Sequence, residues 1–367
     1  MRWAVAAIAA CASCGRIGFG PFGAGSGADA SDLPSNVVFT TSATFTGALG
    51  GLAGADATCT SIANGAGLTG RFVAWLSAST AAAPARLVVP GTSTAARGWV
   101  RTDGKPVADR VADLLAGTMY YPIRFDEHGV DLDGDATHRV LTGTSFDGTY
   151  DASNGSCLDW TTTSAPMYAA GDLARAAIDW TDFSTNTCTT AAHLYCFQVD
   201  YANPLPSILP ATGRKAFVTA APFNTAGHID GADAQCASEA AANGLGTGYL
   251  AFAATTIASA ASRFDPAPGP WVRLDGIPLA ATGAATLSFE LDTPINRDSS
   301  GAISDIHVWT GQTEPIVLAT LAGDCQDWSS TSAADSGGTG KSSSSTSGFD
   351  DGTVTCDSQL PVYCFQQ

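Results

Sequence analysis

Gly54-Ala55-Asp56-Ala57-Thr58-Cys59 returns as Gly231-Ala232-Asp233-Ala234-Gln235-Cys236, and this recurrence decides how the chain is read. Outward from it the matches continue in order. WVRTDG at 99–104 returns as WVRLDG at 271–276, CLDW at 157–160 as CQDW at 325–328, and LYCFQ at 194–198 as VYCFQ at 362–366. Cys59, Cys157, Cys188 and Cys196 are spaced by 98, 31 and 8 positions, and Cys236, Cys325, Cys356 and Cys364 by 89, 31 and 8. Two tandem domains on one cysteine plan follow, at 36–200 and 214–367. The segment between them, 201–213, carries three prolines and reads as a semi-rigid linker.

The 367 residues suit two domains of about 160 residues, each large enough to bury a core without help from a metal or a partner. Charged residues make up 14% of the chain, against about 25% in an ordinary soluble domain. Of 34 acidic residues only Glu127, Glu239, Glu290 and Glu314 are Glu. Asp favours turns and caps where Glu favours helix faces, so long exposed helices are not expected. The net charge of −17 excludes nucleic acid and heparin-like polyanions as natural partners, because both need a basic surface.

Residues 1–14 begin with one Arg and run apolar from Trp3 to Ala12 before meeting small residues and cysteines. The run is too short for a spanning helix and reads as an export signal. It resembles a bacterial lipoprotein signal, with Cys11 or Cys14 as the lipidated residue. Cys11 has the better recognition box and Cys14 the more normal apolar length. Plain secretion, with both cysteines discarded, is the simpler alternative. Residues 15–35, rich in Gly, Ala, Ser and Asp, read as a flexible tether. The expected location is the cell envelope, as an outer-surface or periplasm-facing lipoprotein, or the secreted fraction. Export makes disulfides the default use of the other eight cysteines. No CxxC pair typical of a zinc or redox site occurs among them. Four cysteines allow three pairings per domain.

Each copy opens with an apolar strand, Val37-Val38-Phe39 and Ala216-Phe217-Val218. Ala55, Cys59 and Ala63, like Ala232, Cys236 and Ala240, recur every four residues and predict a helix with that face buried. Asp56 and Asp233 are expected in its first turn, where the dipole favours an anion. FVAWLS (72–77) and YLAFAA (249–254) read as buried strands. Val107, Val111 and Leu114 suggest a helix over 107–116, matched more weakly at 279–287. The rest of each copy reads as short strands and long loops.

GADATC, GLTGRFVAWLS (67–77), CLDW and the final cysteine spacing together resemble the endostatin domain of collagens. They are closer still to a related duplicated domain of bacterial surface lipoproteins. The resemblance spans roughly 36–200 and 214–367. It implies an α+β, C-type-lectin-like fold in tandem: a twisted, mostly antiparallel sheet with two helices and long loops in each copy. It also implies nested bridges, Cys59–Cys196 with Cys157–Cys188, and Cys236–Cys364 with Cys325–Cys356. Such bridges would contribute roughly 5 and 4 kcal/mol in the chain-entropy account. Trp160 and Trp328 would pack on the inner bridge as core aromatics rather than bind a ligand. The family's activities do not carry over. No histidine lies between Asn36 and Cys59 to bind zinc, and no arginine surface is available for heparin. The lectin calcium motifs are reduced to Glu314-Pro315-Ile316.

Other constellations are weaker. Asp131, Asp133 and Asp135 have EF-hand-like alternation, yet Ala136 replaces the required Gly and Thr142 the bidentate Glu. An acidic solvated turn is the plainer reading. DSGGTGKS (335–342) imitates a phosphate loop, with Asp335 in place of the first Gly and no strand before it or helix after it. A flexible Ser-rich loop fits better. His128, His138, His193, His228 and His307 are scattered, and the cysteines are committed to bridges. No catalytic residue, cofactor or metal site is therefore expected. The expected function is a lipid-anchored adhesion or binding protein for an extracellular protein or glycan. It would meet the membrane through the anchor alone. The alternatives are a structural envelope protein, or an enzyme acting on polysaccharide or peptide.

Overall fold

Five residues from Asn36 make the first strand, β1 (Asn36–Thr40), and its two faces set out the two halves of the first core. The computed structural model describes residues 33–367. The expected signal 1–14, with Cys11 and Cys14, and all but the end of the tether 15–35 lie outside the described residues. Val38 points to one face with Val73, Trp75, Trp99 and Phe197. Phe39 points to the other with Phe72, Ala74 and Cys196, as the two-residue period of a strand requires. The second face is covered by α1 (Gly51–Gly65), whose buried residues are Ala55, Cys59 and Ala63. Small side chains along that stripe let the helix lie close to the sheet.

The first copy continues with β2 (Phe72–Ala74), α2 (Ala83–Arg86), β3 (Trp99–Arg101), β4 (Pro106–Ala108), α3 (Val111–Leu115) and β5 (Arg139–Leu141). After these come α4 (Cys157–Trp160), β6 (Met167–Asp172), β7 (Ser184–Thr187) and β8 (Tyr195–Gln198). The second copy runs β9 (Arg214–Val218), α5 (His228–Ala242), β10 (Tyr249–Ala251), β11 (Trp271–Val272), α6 (Gly283–Leu287) and β12 (His307–Trp309). It ends with α7 (Cys325–Trp328), β13 (Ser336–Lys341), β14 (Thr353–Thr355) and β15 (Tyr363–Gln366).

The result is an α+β chain with four small sheets, two per copy and in corresponding order. The larger sheets are ordered β2-β8-β1-β3-β4 and β10-β15-β9-β11, and the smaller ones β5-β6-β7 and β12-β13-β14. Most pairings are antiparallel, while β1 with β3 and β9 with β11 are parallel. Four disulfides join Cys59 to Cys196, Cys157 to Cys188, Cys236 to Cys364 and Cys325 to Cys356. The outer bridge of each copy fastens the long helix to the last strand. Bridges of this number mark an oxidising, extracellular or periplasmic compartment. No helix among the described residues is long and apolar enough to cross a membrane.

Three local expectations need correction. The helix expected over 107–116 is shorter, because Val107 lies in β4 and pairs into the sheet; only Val111–Leu115 is helical. Asp56 and Asp233 are not in the first turn, since α1 and α5 begin five residues before them. Each carboxylate instead caps a strand N–H and an arginine: Asp56 takes Ala74 N at 3.0 Å and Arg86 at 2.5 Å, and Asp233 takes Ala251 N at 2.8 Å and Arg263 at 2.5 Å. DSGGTGKS is no flexible loop. Ser336–Lys341 is β13, the middle strand of its sheet. A Cβ on Gly337 would come within 2.8 Å of the Trp309 ring and 2.9 Å of Cys325 Sγ. Glycine there serves close packing, not mobility.

The segment 201–213 is tied to both copies. Tyr201 N donates to Asn36 Oδ1 at 3.1 Å, Leu205 N to Asp109 Oδ1 at 2.8 Å, and Ala211 N to Gly276 O at 2.9 Å. Residues 33–367 form one unit.

Candidate functional site

The two copies meet along the chain that follows β6 and β13. Arg139 stands opposite Asp172 in one small sheet and His307 opposite Lys341 in the other, so Asp172 and Lys341 correspond. Three residues further on, Arg175 and Ser344 correspond too, and these two pair with each other antiparallel. Ala176 N donates to Ser343 O at 2.8 Å and Ser345 N to Ala174 O at 3.0 Å. Equivalent residues pairing across a junction are the mark of a twofold relation. Flanking loops extend the seam: Arg124 donates to Leu291 O at 2.7 Å, Thr293 to Tyr120 O at 2.6 Å, and Arg273 to Met119 O at 3.3 Å.

The backbone relation is symmetric but the side chains are not. Arg175, 6% exposed, reaches Asp179 at 3.2 Å within its own copy and Asp351 at 3.0 Å in the other. Lys341 answers from the second copy, meeting Asp305 at 2.7 Å and Asp179 at 3.5 Å. Burial raises the Asp179 carboxyl and Asp305 pushes it the same way, with Lys341 and Arg175 opposing. Burial also works to raise Asp351, but bonds from His307 and Arg175 outweigh it and hold that carboxyl below its usual range. Such cross-copy charges lock one particular pairing.

At one end of the seam the structure opens into a cleft of about 500 Å³. The first copy supplies Asp135 to Arg139, Asp172, Arg175 and Phe183; the second supplies Thr346, Ser347 and Asp351. Arg139 bonds to Asp172 at 2.5 Å. The guanidiniums of Arg139 and Arg175 each lie 4.3 Å from the centre of the Phe183 ring, within cation–π range. The site is polar, open and composite, a shape suited to holding a small polar group rather than an apolar one.

The residues singled out in the sequence fall in different places. Asp135 and His138 border the cleft. Asp131 and Asp133 turn towards Arg124, at 2.8 and 3.8 Å, and so act as its counter-ions. Among the described residues no group of three or more His, Cys, Asp and Glu is placed to hold a metal ion. His138 Nε2 lies 2.9 Å from Asp133 O, and the buried His193 lies between the carbonyls of Thr41 and Thr137 at 2.6 and 3.2 Å. His128 lies 3.8 Å from Glu127, and His228 begins α5. Glu314-Pro315-Ile316 sits on a surface loop whose Pro315 carbonyl accepts Ala261 N at 2.8 Å. Trp160 and Trp328 are fully buried, donating to Ser77 O and Ala254 O at 2.8 Å each.

Those tryptophans close an unusual turn. All four residues of α4 have positive φ, from 51 to 66°, and all four of α7 have φ from 55 to 60°. Each is a single left-handed turn of non-glycine residues, costing roughly 1–2 kcal/mol per residue. The inner disulfide, the buried Trp and a capping Asp fix it: Asp159 accepts Ser79 N at 2.8 Å, and Asp327 accepts Thr256 N at 3.1 Å.

Arg139, Arg175, Phe183 and Asp351 were not singled out from the sequence. A signal was present, because GDLARAAIDW at 171–180 stands where the other copy has GKSSSSTSGF at 340–349. The copies diverge in charge where they touch. No protein-family model matches the chain, and no curated protein matches it.

Proposed function

We propose that the chain is an exported surface protein, anchored through a lipid on Cys11 or Cys14, whose two endostatin-like, C-type-lectin-like modules bind an extracellular protein or glycan as one unit. One observation carries this reading: a polar cleft whose walls come from both copies. Mostly antiparallel sheets in both copies and the nested bridges Cys59–Cys196 with Cys157–Cys188 and Cys236–Cys364 with Cys325–Cys356 support this reading of the modules. A rigid seam argues against two independently swinging heads, so the duplication serves to build a site rather than to raise avidity. The function is one of binding, with no catalytic residue assigned.

The test has two parts. Metabolic lipid labelling of the expressed chain, with Cys11→Ser and Cys14→Ser, reports on the anchor; label that survives the double change rules it out. Glycan and matrix-protein arrays probed with the mature protein report on binding. Silence on both arrays, with an inert monomer in light scattering, would leave the envelope-spacer role in its place.

A further inference from the structure

We propose that the cleft at the seam takes a neutral, polyhydroxylated ligand: a short neutral oligosaccharide. The inference rests on the reading of the chain as a binding protein and assigns both its site and its ligand class. Charge balance carries the argument. Two guanidiniums, Arg139 and Arg175, face three carboxylates, Asp135, Asp172 and Asp351, and the arginines are already committed to the last two. An anionic ligand would have to displace Asp172 or Asp351 from an arginine it already contacts. A cationic ligand finds one uncommitted carboxylate, the exposed Asp135, where solvent screens the contact, and for any second contact it would have to strip an arginine from its acid. An apolar ligand would leave this whole set of buried and half-buried charges without water.

A hydroxyl group avoids all three costs, since it donates one bond and accepts others. Seated between an arginine and an aspartate, it accepts from the first and donates to the second without breaking their pair. From the second copy Ser347 Oγ already accepts from Arg175 at 3.1 Å and donates to Ser344 Oγ at 3.0 Å, which leaves Thr346 as the hydroxyl that extends the donor-and-acceptor lining. Phe183 lies in the lining with both guanidiniums against its ring, each 4.3 Å from the centre, which holds the two donors in place for a hydroxyl. The volume of about 500 Å³ lies within the range of small-molecule sites.

Titration calorimetry on the mature protein would use neutral glucan, mannan and galactan oligosaccharides, with oligogalacturonate as the acidic arm and a matrix-protein array alongside. Two variants probe the site: Arg139→Gln, which removes a donor, and Thr346→Trp, which fills the cleft and leaves the Arg139–Asp172 pair intact. Neutral oligosaccharide binding that falls at least tenfold in both variants, with circular dichroism showing both still folded, is the expected result. Preference for oligogalacturonate, or no neutral saccharide bound at millimolar concentration, overturns the ligand class. Saccharide binding that is indifferent to both variants overturns the site. A matrix protein bound equally by wild type and both variants, with no saccharide bound, removes this inference and leaves the proposed function standing.

Discussion

Asp324 and Asp327 set two carboxyls against each other at the mouth of the second left-handed turn. Asp324 Oδ1 accepts the Asp327 backbone N–H at 2.8 Å, while its Oδ2 is buried without a hydrogen-bond partner. The first copy solves the same place differently: Ser156 Oγ accepts Asp159 N and donates to the Asp159 carboxylate, both at 3.1 Å. A hydroxyl that donates has become an acid that, once ionised, cannot.

A pH dependence follows from this pair. Burial first, and repulsion from Asp327 next, raise the Asp324 carboxyl from 3.8 to about 6. The folded protein thus holds this proton more tightly than the unfolded chain does. The stabilisation is full below about 3.8 and is lost as pH rises through about 6. Asp324→Ser should remove that loss and stabilise the protein by about 2 kcal/mol at pH 7.5, with little gain near pH 4. Denaturant titrations at both pH values would check it; an equal effect at both would sink the assignment.

The seam should be far more sensitive at Arg175 than at its rim. Arg175→Ala leaves Asp172, Asp179 and Asp351 facing one another with their shared cation gone, a loss of about 3–5 kcal/mol. Lys105→Ala removes a half-exposed pair with Asp292 at 2.8 Å and should cost less than about 1 kcal/mol. With a protease site placed in the linker at 206–209, the cut wild-type halves should co-elute and the cut Arg175→Ala halves should separate.

The left-handed turns make a prediction opposite in sign to ordinary core substitutions. Leu158 has φ 51° and is 69% exposed, so its side chain contributes strain and little packing. Leu158→Gly should stabilise the protein by about 0.5 kcal/mol, relief of backbone strain exceeding the added freedom of the unfolded chain. Leu158→Val, β-branched at positive φ, should destabilise it by about 1–2 kcal/mol. Thermal melts of the two variants against wild type would reveal whether the order holds.

Removing the inner bridge of the first copy by Cys157→Ala with Cys188→Ala opens a loop of 31 residues. The expected loss is about 4 kcal/mol. Near-ultraviolet circular dichroism should lose the Trp160 signal as the turn relaxes, while the second copy's bridges keep their pairing under non-reducing peptide mapping.

Much of the framework could be read from residues. The strands at Val38 and Phe217 follow from their short apolar runs, since both faces are buried, and the small-residue faces at Cys59 and Cys236 follow from the four-residue period of helices buried on one side within their own copy. Two things could not be read. Gly337, Gly338 and Gly340 look like loop residues by composition, yet each lies where a Cβ would strike a neighbour: Trp309, the Gln312 backbone and the Gly348 carbonyl. Only the packed structure separates a glycine used for freedom from one used for contact. The cleft was hidden for a different reason. Arg175 and Asp351 are 176 positions apart, and nothing local to either says that the copies meet there.

In each copy the opening strand lies beside the closing one, β1 against β8 and β9 against β15. A fold that starts and finishes at neighbouring points can be strung end to end like beads, since adding one need not reroute another. The duplication therefore asked little of the ancestral backbone, and its innovation went into the face where the beads touch.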